Sequence, residues 1–376
     1  MHYFIFANKD SYITEASPSH IIIDADTVDK NYGHDEILEL GKEFANLYST
    51  SSYNTSRVLI QFDYSDISSS IVNQYITDPK FYLRLYETEG QQELSKDYSL
   101  LAFPLSQSWE EGVGKKFDKP YTKKGVTWKD YNSGSAWSLG NFNADSGSRT
   151  TGGGVWMTGS GYQASQSFSN QSPDVEMDVT DIVNKHLGGN NKINNFGFVL
   201  KFDSSTEADV SLHDFKFFSR HTHTIYAPTL EVRWDDHTAV SGSNTGSLNS
   251  LTMNGEIKNH IFIKGLQKTY RESEKVRFRV GCRKEFVQKT FTESVQTSSF
   301  YIPEGTGFYS IVDVNTNTVK IPFSAYTSMS CDTNSMYFDQ WFNTFEPGRY
   351  YKILFKLKYD DGQEIIYDNN GEFKII

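Results

Sequence analysis

Residues 56–63 read Ser-Arg-Val-Leu-Ile-Gln-Phe-Asp, and this octet decides the fold class. Val58, Ile60 and Phe62 alternate with Leu59, Gln61 and Asp63, the period of two that sends successive side chains to opposite faces of a strand. One face is therefore expected to be core. Outward from it, similar strand signals recur at Ser19–Ala25, Glu36–Leu40, Lys80–Tyr86, Tyr98–Pro104, Asp174–Asp178, Phe196–Phe202, Val210–Ser219 and Thr229–Trp234. A further series covers Gly255–Lys264, Lys275–Cys282, Val287–Glu293, Ser299–Asp313, Phe345–Tyr359, Glu364–Tyr367 and Gly371–Ile376. Short strands punctuated by Gly, Asn and Ser indicate sandwiches. Helical patterns are confined to Ser68–Thr77 and Val179–His186. The fold class expected is all-β: a jelly-roll sandwich followed by a smaller immunoglobulin-like sandwich.

The length of 376 residues exceeds what one hydrophobic core usually supports. Residues 239–250, Ala-Val-Ser-Gly-Ser-Asn-Thr-Gly-Ser-Leu-Asn-Ser, have the composition of a linker. Domains are thus expected over 1–238 and 251–376. Charge divides at the same place. Through Asp236 there are 20 Lys and Arg against 32 Asp and Glu, a net of −12; from residue 239 there are 16 against 15, a net of +1. An acidic module repels phosphate backbones, so nucleic acid is not an expected partner. No apolar run reaches the length of a membrane helix, and Met1–Ala7 lacks the basic start of a secretory signal. With only Cys282 and Cys331, a disulfide framework is not expected.

Motifs for catalysis are scarce. There is no phosphate-binding loop, dinucleotide fingerprint, nucleophile elbow or zinc-protease motif. Glu110, Glu111 and Asp118 offer carboxylates of the kind glycosidases pair, but their setting reads as an acidic solvated loop. His221 and His223, two apart, would share one face of a strand and there read as polar surface rather than as a metal pair. Oxygen-rich loops of sandwiches also hold calcium. Candidate ligands for a structural calcium are Asp10, Asp24, Asp26, Asp178 and Asp181, and no other cofactor is expected. The segment Asn132–Ser172 is rich in Gly and Ser yet carries Trp137, Trp156, Met157 and Tyr162. Together with Trp128 and Tyr131, Trp137, Trp156 and Tyr162 are the candidates for stacking on a glycan or anchoring a partner.

Several short motifs follow one another in a fixed order: Asp10-Ser-Tyr-Ile-Thr14, Asn31-Tyr-Gly33, Ser56–Asp63, Phe81–Tyr86, Ser108-Trp-Glu-Glu-Gly112 and Gly125-Val-Thr-Trp128. Asp178-Val-Thr180, Asn195-Phe-Gly-Phe198, Phe218-Ser-Arg220 and Pro228-Thr-Leu230 complete the series. Together they resemble the DNRLRE domain, a jelly roll related to carbohydrate-binding modules and common in phage structural proteins. The resemblance covers about residues 8–236. The chain departs from that pattern at His221, where an acidic residue often follows Ser-Arg. Phe345-Glu-Pro-Gly-Arg-Tyr-Tyr351 and the strand after it resemble immunoglobulin-like modules of phage tails.

These resemblances imply a non-enzymatic virion structural protein: a tail, neck, baseplate or fibre-attachment component assembled in the host cytoplasm. Its partners would be other virion proteins and copies of itself, without nucleic acid or membrane. The alternative is a carbohydrate-binding module or adhesin that recognises a host surface glycan.

Overall fold

The computed structural model describes residues 1–15, 30–47, 50–88, 97–138, 152–169, 174–188, 192–209, 213–254, 258–286, 300–343 and 345–376. The chain is all-β, with few and short helices. It divides into two compact units. The larger holds Phe4–Tyr75 and Lys80–Val232; the smaller holds Met1–Tyr3, Ile76–Pro79 and Arg233–Ile376. Among the described residues no helix is long and apolar enough to cross a membrane. The strands expected at Ser19–Ala25 and Val287–Glu293 lie outside the described residues.

The elements of the larger unit run β1 (His2–Thr14), β2 (Ile37–Leu47), β3 (Thr50–Phe62), α1 (Ser65–Val72), β4 (Lys80–Leu85), β5 (Tyr98–Pro104), β6 (Asp130–Asn132) and β7 (Ser135–Ala136). They continue through β8 (Ala164–Phe168), β9 (Val175–Asp178), α2 (Thr180–Leu187), β10 (Phe198–Phe202), α3 (Ser204–Ala208), β11 (His213–Phe218) and β12 (Thr229–Arg233). Ten strands share one sheet in the order β8-β5-β10-β3-β1-β12-β4-β9, with β2 paired to β3 and β11 to β2. A bridge between Glu87 and Phe217 ties the chain just past β4 to β11. Pairing thus runs in a ring from β3 through β1, β12, β4, β11 and β2 back to β3, and closure of this kind leaves few bare strand edges.

Strand β3 serves two partners in succession. Thr50–Thr55 pair with β2, and Ser56–Phe62 pair with β1. The alternation in Val58–Asp63 led us to expect one buried face. Both are buried: Val58, Leu59, Ile60 and Phe62 are each at most 1% exposed. The second face is covered by an indole-rich cluster in which Leu59, Ile13 and Val199 meet Trp109, Trp128, Trp137 and Trp156. Arg57, at the head of the octet, is also buried. Its guanidinium lies 5.2 Å from the Trp128 ring and 4.9 Å from the Trp156 ring. Nε and Nη2 donate to Glu207 of α3 at 3.0 and 2.8 Å, and Nη1 donates to Gly153 O at 2.7 Å. The Lys201 ammonium sits 3.2 Å from the same carboxylate. A charge so far from water is tolerated only with partners of this quality.

The smaller unit contains α4 (Gly242–Thr245), β13 (Asn249–Ser250), β14 (Asn259–Lys264), β15 (Thr269–Tyr270), β16 (Lys275–Lys284) and β17 (Phe300–Tyr301). Then come β18 (Gly307–Asp313), β19 (Val319–Ile321), β20 (Ser330–Cys331), β21 (Met336–Trp341), β22 (Tyr350–Lys358) and β23 (Glu364–Ile375). Sheets β14-β16-β21-β20 and β15-β23-β22-β18-β19 face each other as a sandwich. Rings join them: Phe338 of one sheet stacks on Tyr309 of the other at 3.9 Å, and Phe278 meets Phe373 at 5.9 Å. The residues expected to be a linker, 239–250, belong to this unit. They hold α4 and β13, and β13 pairs parallel with β17. Asp360-Asp-Gly362 forms the turn that joins β22 to β23, with Gly362 at φ +84°. Cys282 and Cys331 are both buried free thiols.

Candidate functional site

In the larger unit Asn31 organises the loop after β5. Its side-chain amide donates to the carbonyls of Glu111 and Val126, both at 2.7 Å. Its Oδ1 accepts from Gly114 N at 2.8 Å and from Gly33 N at 3.2 Å. All four bonding positions of one amide are thereby spent on backbone groups. The packing explains the glycines around it. A Cβ at Gly33 would lie 1.9 Å from Glu111 O, and one at Gly112, which has φ +81°, would lie 2.3 Å from Asn31 Oδ1. The Asn31-Tyr-Gly33 and Trp109-Glu-Glu-Gly112 motifs thus fit each other and no side chain fits between them.

This packing directs Glu111 toward Asp10. Strand β1 shifts register between Ala7 and Lys9, and such bulges re-aim the next side chains. The Asp10 backbone N–H then donates to Glu111 Oε1 at 3.0 Å. The turn after β11 closes the group. Arg220 N donates to Asp10 Oδ2 at 2.5 Å, and Arg220 Nη1 lies 3.0 Å from each Glu111 oxygen. His221 Nε2 is 3.2 Å from Glu111 Oε1, and the His34 and His221 ring centres are 4.4 Å apart. One donor atom each from Asp10, Glu111 and His221 falls within 4.8 Å of the others. Asp10 is 1% exposed, and its Oδ1 has no hydrogen-bond partner among the described residues. Burial above all pushes its carboxyl up to about 7; the neighbouring Glu111 adds to this and the Arg220 N–H opposes it. Burial also lowers the His221 imidazole, against the pull of Glu111.

Of the expected calcium ligands, Asp10, Asp178 and Asp181 are not brought together. Asp24 and Asp26 lie outside the described residues. Asp178 is exposed and accepts from the N–H of Thr180, the first residue of α2, at 2.9 Å. Asp181 is exposed in the first turn of that helix, where negative charge suits the helix dipole. Of the three described, only Asp10 enters the carboxylate group, and its companions are Glu111 and His221. Glu110 is exposed, and Asp118 Oδ2 accepts from Lys115 N at 2.9 Å. Of Glu110, Glu111 and Asp118, only Glu111 enters the group around Asp10. His221 and His223 occupy a turn rather than a strand, so their spacing does not put them on one face.

The aromatic candidates also need correction. Trp128, Trp137 and Trp156 are buried in the indole-rich cluster, and Tyr131 is half-buried against it. Trp137 Nε1 donates to Thr127 O at 3.1 Å. Trp156 is 1% exposed. Tyr162 is half-buried beneath the Lys185 ammonium, 4.6 Å from its ring centre. These residues form no open sugar-stacking platform, because the indoles are spent inside the cluster and Tyr131 and Tyr162 are half-covered by their neighbours. Within the segment Asn132–Ser172, residues 139–151 and 170–172 lie outside the described residues.

Comparison with family models, curated proteins and solved structures finds no match.

Proposed function

We propose that the chain is a non-enzymatic structural component of a phage particle that acts through protein–protein contacts. In this reading the larger unit is a DNRLRE-type jelly roll and the smaller an immunoglobulin-like module. The observation that carries the choice over the glycan-binding alternative is the burial of Trp128, Trp137 and Trp156. Sugar rings are held by exposed indole and phenol faces, and these indoles are spent inside their own unit. Large apolar side chains do stand exposed elsewhere on the larger unit. Phe117 is 85% exposed and shares its loop with exposed Val113, the kind of anchor that protein interfaces cover.

Mass spectrometry and antibody labelling of density-purified particles test the reading. The chain is expected in fixed stoichiometry with the particle proteins. Its absence from washed particles, combined with binding to a host-surface polysaccharide, would overturn the proposal in favour of an adhesin.

A further inference from the structure

We propose that Asp10, Glu111 and His221 form a binding site for one divalent transition-metal ion of the zinc class. Three observations carry it. The three donor atoms already lie within 4.8 Å of one another, so one ion could touch all three. They come from β1, from the loop after β5 and from the turn after β11, three segments that meet only in the fold. And Asp10 Oδ1 is a buried carboxylate oxygen with no partner among the described residues. Buried polar atoms are almost always satisfied, and an orphan beside a second carboxylate and an imidazole calls for a cation.

The donor set selects the ion. Calcium takes six to eight oxygen ligands, roughly, whereas a nitrogen and two carboxylates suit zinc, manganese or cobalt. Three protein ligands leave a fourth position for water or for a group from a partner. The surroundings are those of a built site. Arg220 Nη1, 3.0 Å from Glu111 Oε2, can hold that oxygen while Oε1 turns to the ion. His34 packs on the His221 ring, and the Asn31 amide fixes the Glu111 backbone. Such outer partners orient the ligands of a metal. The ion would staple the three segments together and lend the unit stability in proportion to its occupancy.

The test uses the full chain, stripped with a chelator and dialysed. Isothermal titration with zinc chloride is expected to show one saturable site. Glu111→Gln and His221→Ala should each weaken it about 100-fold or more, while His223→Ala should leave it within about twofold. Millimolar calcium should not compete. Since Glu111 also anchors the loop, a wild-type measurement stands beside the variants. Cobalt loading should give the visible bands of a four- or five-coordinate ion, and nitrogen-15 spectra should place the metal on His221 Nε2. No saturable zinc binding, binding that survives both variants, calcium competition, or metal shifts on other histidines would each overturn the proposal. All of these outcomes are independent of whether the chain is found in particles.

Discussion

Asp10 and Glu111 are 101 residues apart in sequence, and the backbone N–H of Asp10 donates to Glu111 Oε1 at 3.0 Å. The bond ties a strand inside the sheet to a loop that has no regular structure of its own. The loop is placed by Asn31 and the glycines that fit against it, and the strand is turned by its bulge.

Asn31→Ala should therefore cost stability well beyond its size. It leaves the carbonyls of Glu111 and Val126 and the amides of Gly33 and Gly114 without their partner. At about 1 kcal/mol for each bond, a loss of about 2–4 kcal/mol is expected in urea unfolding. A loss below about 1 kcal/mol would show that the loop holds its shape without the amide.

Trp137→Ala and Trp156→Ala should each destabilise the protein by about 3–5 kcal/mol, the range for large-to-small changes in a core. A surface role for these indoles predicts instead an unchanged melting temperature. Thermal melts of the two variants decide between them.

Glu207→Ala leaves Arg57 buried between two indoles with no carboxylate. Removing one partner of a buried pair costs about 3–5 kcal/mol. The double variant Arg57→Met with Glu207→Met should lose clearly less than the two single changes summed. Additive losses in that double-mutant cycle would count against the pair acting as a unit.

The protein's acid response should carry a histidine signature. His186 is buried, with Nδ1 3.3 Å from Tyr64 Oη and Nε2 unpartnered, and burial lowers its imidazole to about 4. The native state then refuses a proton that the unfolded chain accepts below about 6.5. Stability from this group is whole above that pH and drains as the pH falls to about 4, by about 3 kcal/mol in all. Asp10, raised to about 7, works in the opposite sense: its share is lost as the pH rises from about 4 through 7. The two slopes oppose each other, so the wild-type profile alone conceals both. Subtracting His186→Gln from wild type in urea melts at pH 4 to 7.5 isolates the histidine, and a flat difference would contradict the assignment.

Phe117→Ser should leave the melting temperature within about a degree, since the ring is already in water. The proposed particle role predicts that incorporation of the variant chain into phage particles falls. Normal incorporation would remove Phe117 from the proposed contact surface.

Local pattern settled much of this protein. Alternation marked Tyr98–Pro104, whose bounds are those of β5, and it placed β4, β10 and β12 to within two residues and the second half of β3, because a strand's period is written in adjacent side chains. It missed Met336–Trp341, although that strand alternates buried and half-buried. Its polar members, Asp339 and Gln340, and the Asn-Ser turn before it hid the period. Glu364–Tyr367 and Gly371–Ile376 seemed separate because Asn369, Asn370 and Gly371 look like a turn; in the sandwich β23 runs through them.

The sequence by itself determined the all-β class, the acidic first half and the order of the short motifs, since each is a property of neighbouring residues. Only the tertiary structure decided which motifs meet. Asp10, Asn31, Glu111 and His221 carry no spacing signal, being brought together by a bulge, a glycine-tight loop and a turn after β11. Trp137 and Trp156 likewise show no burial pattern in their Gly- and Ser-rich stretch, because burial depends on what lies opposite in space. The other wall of their cluster, Ile13, Leu59 and Val199, is supplied by distant strands.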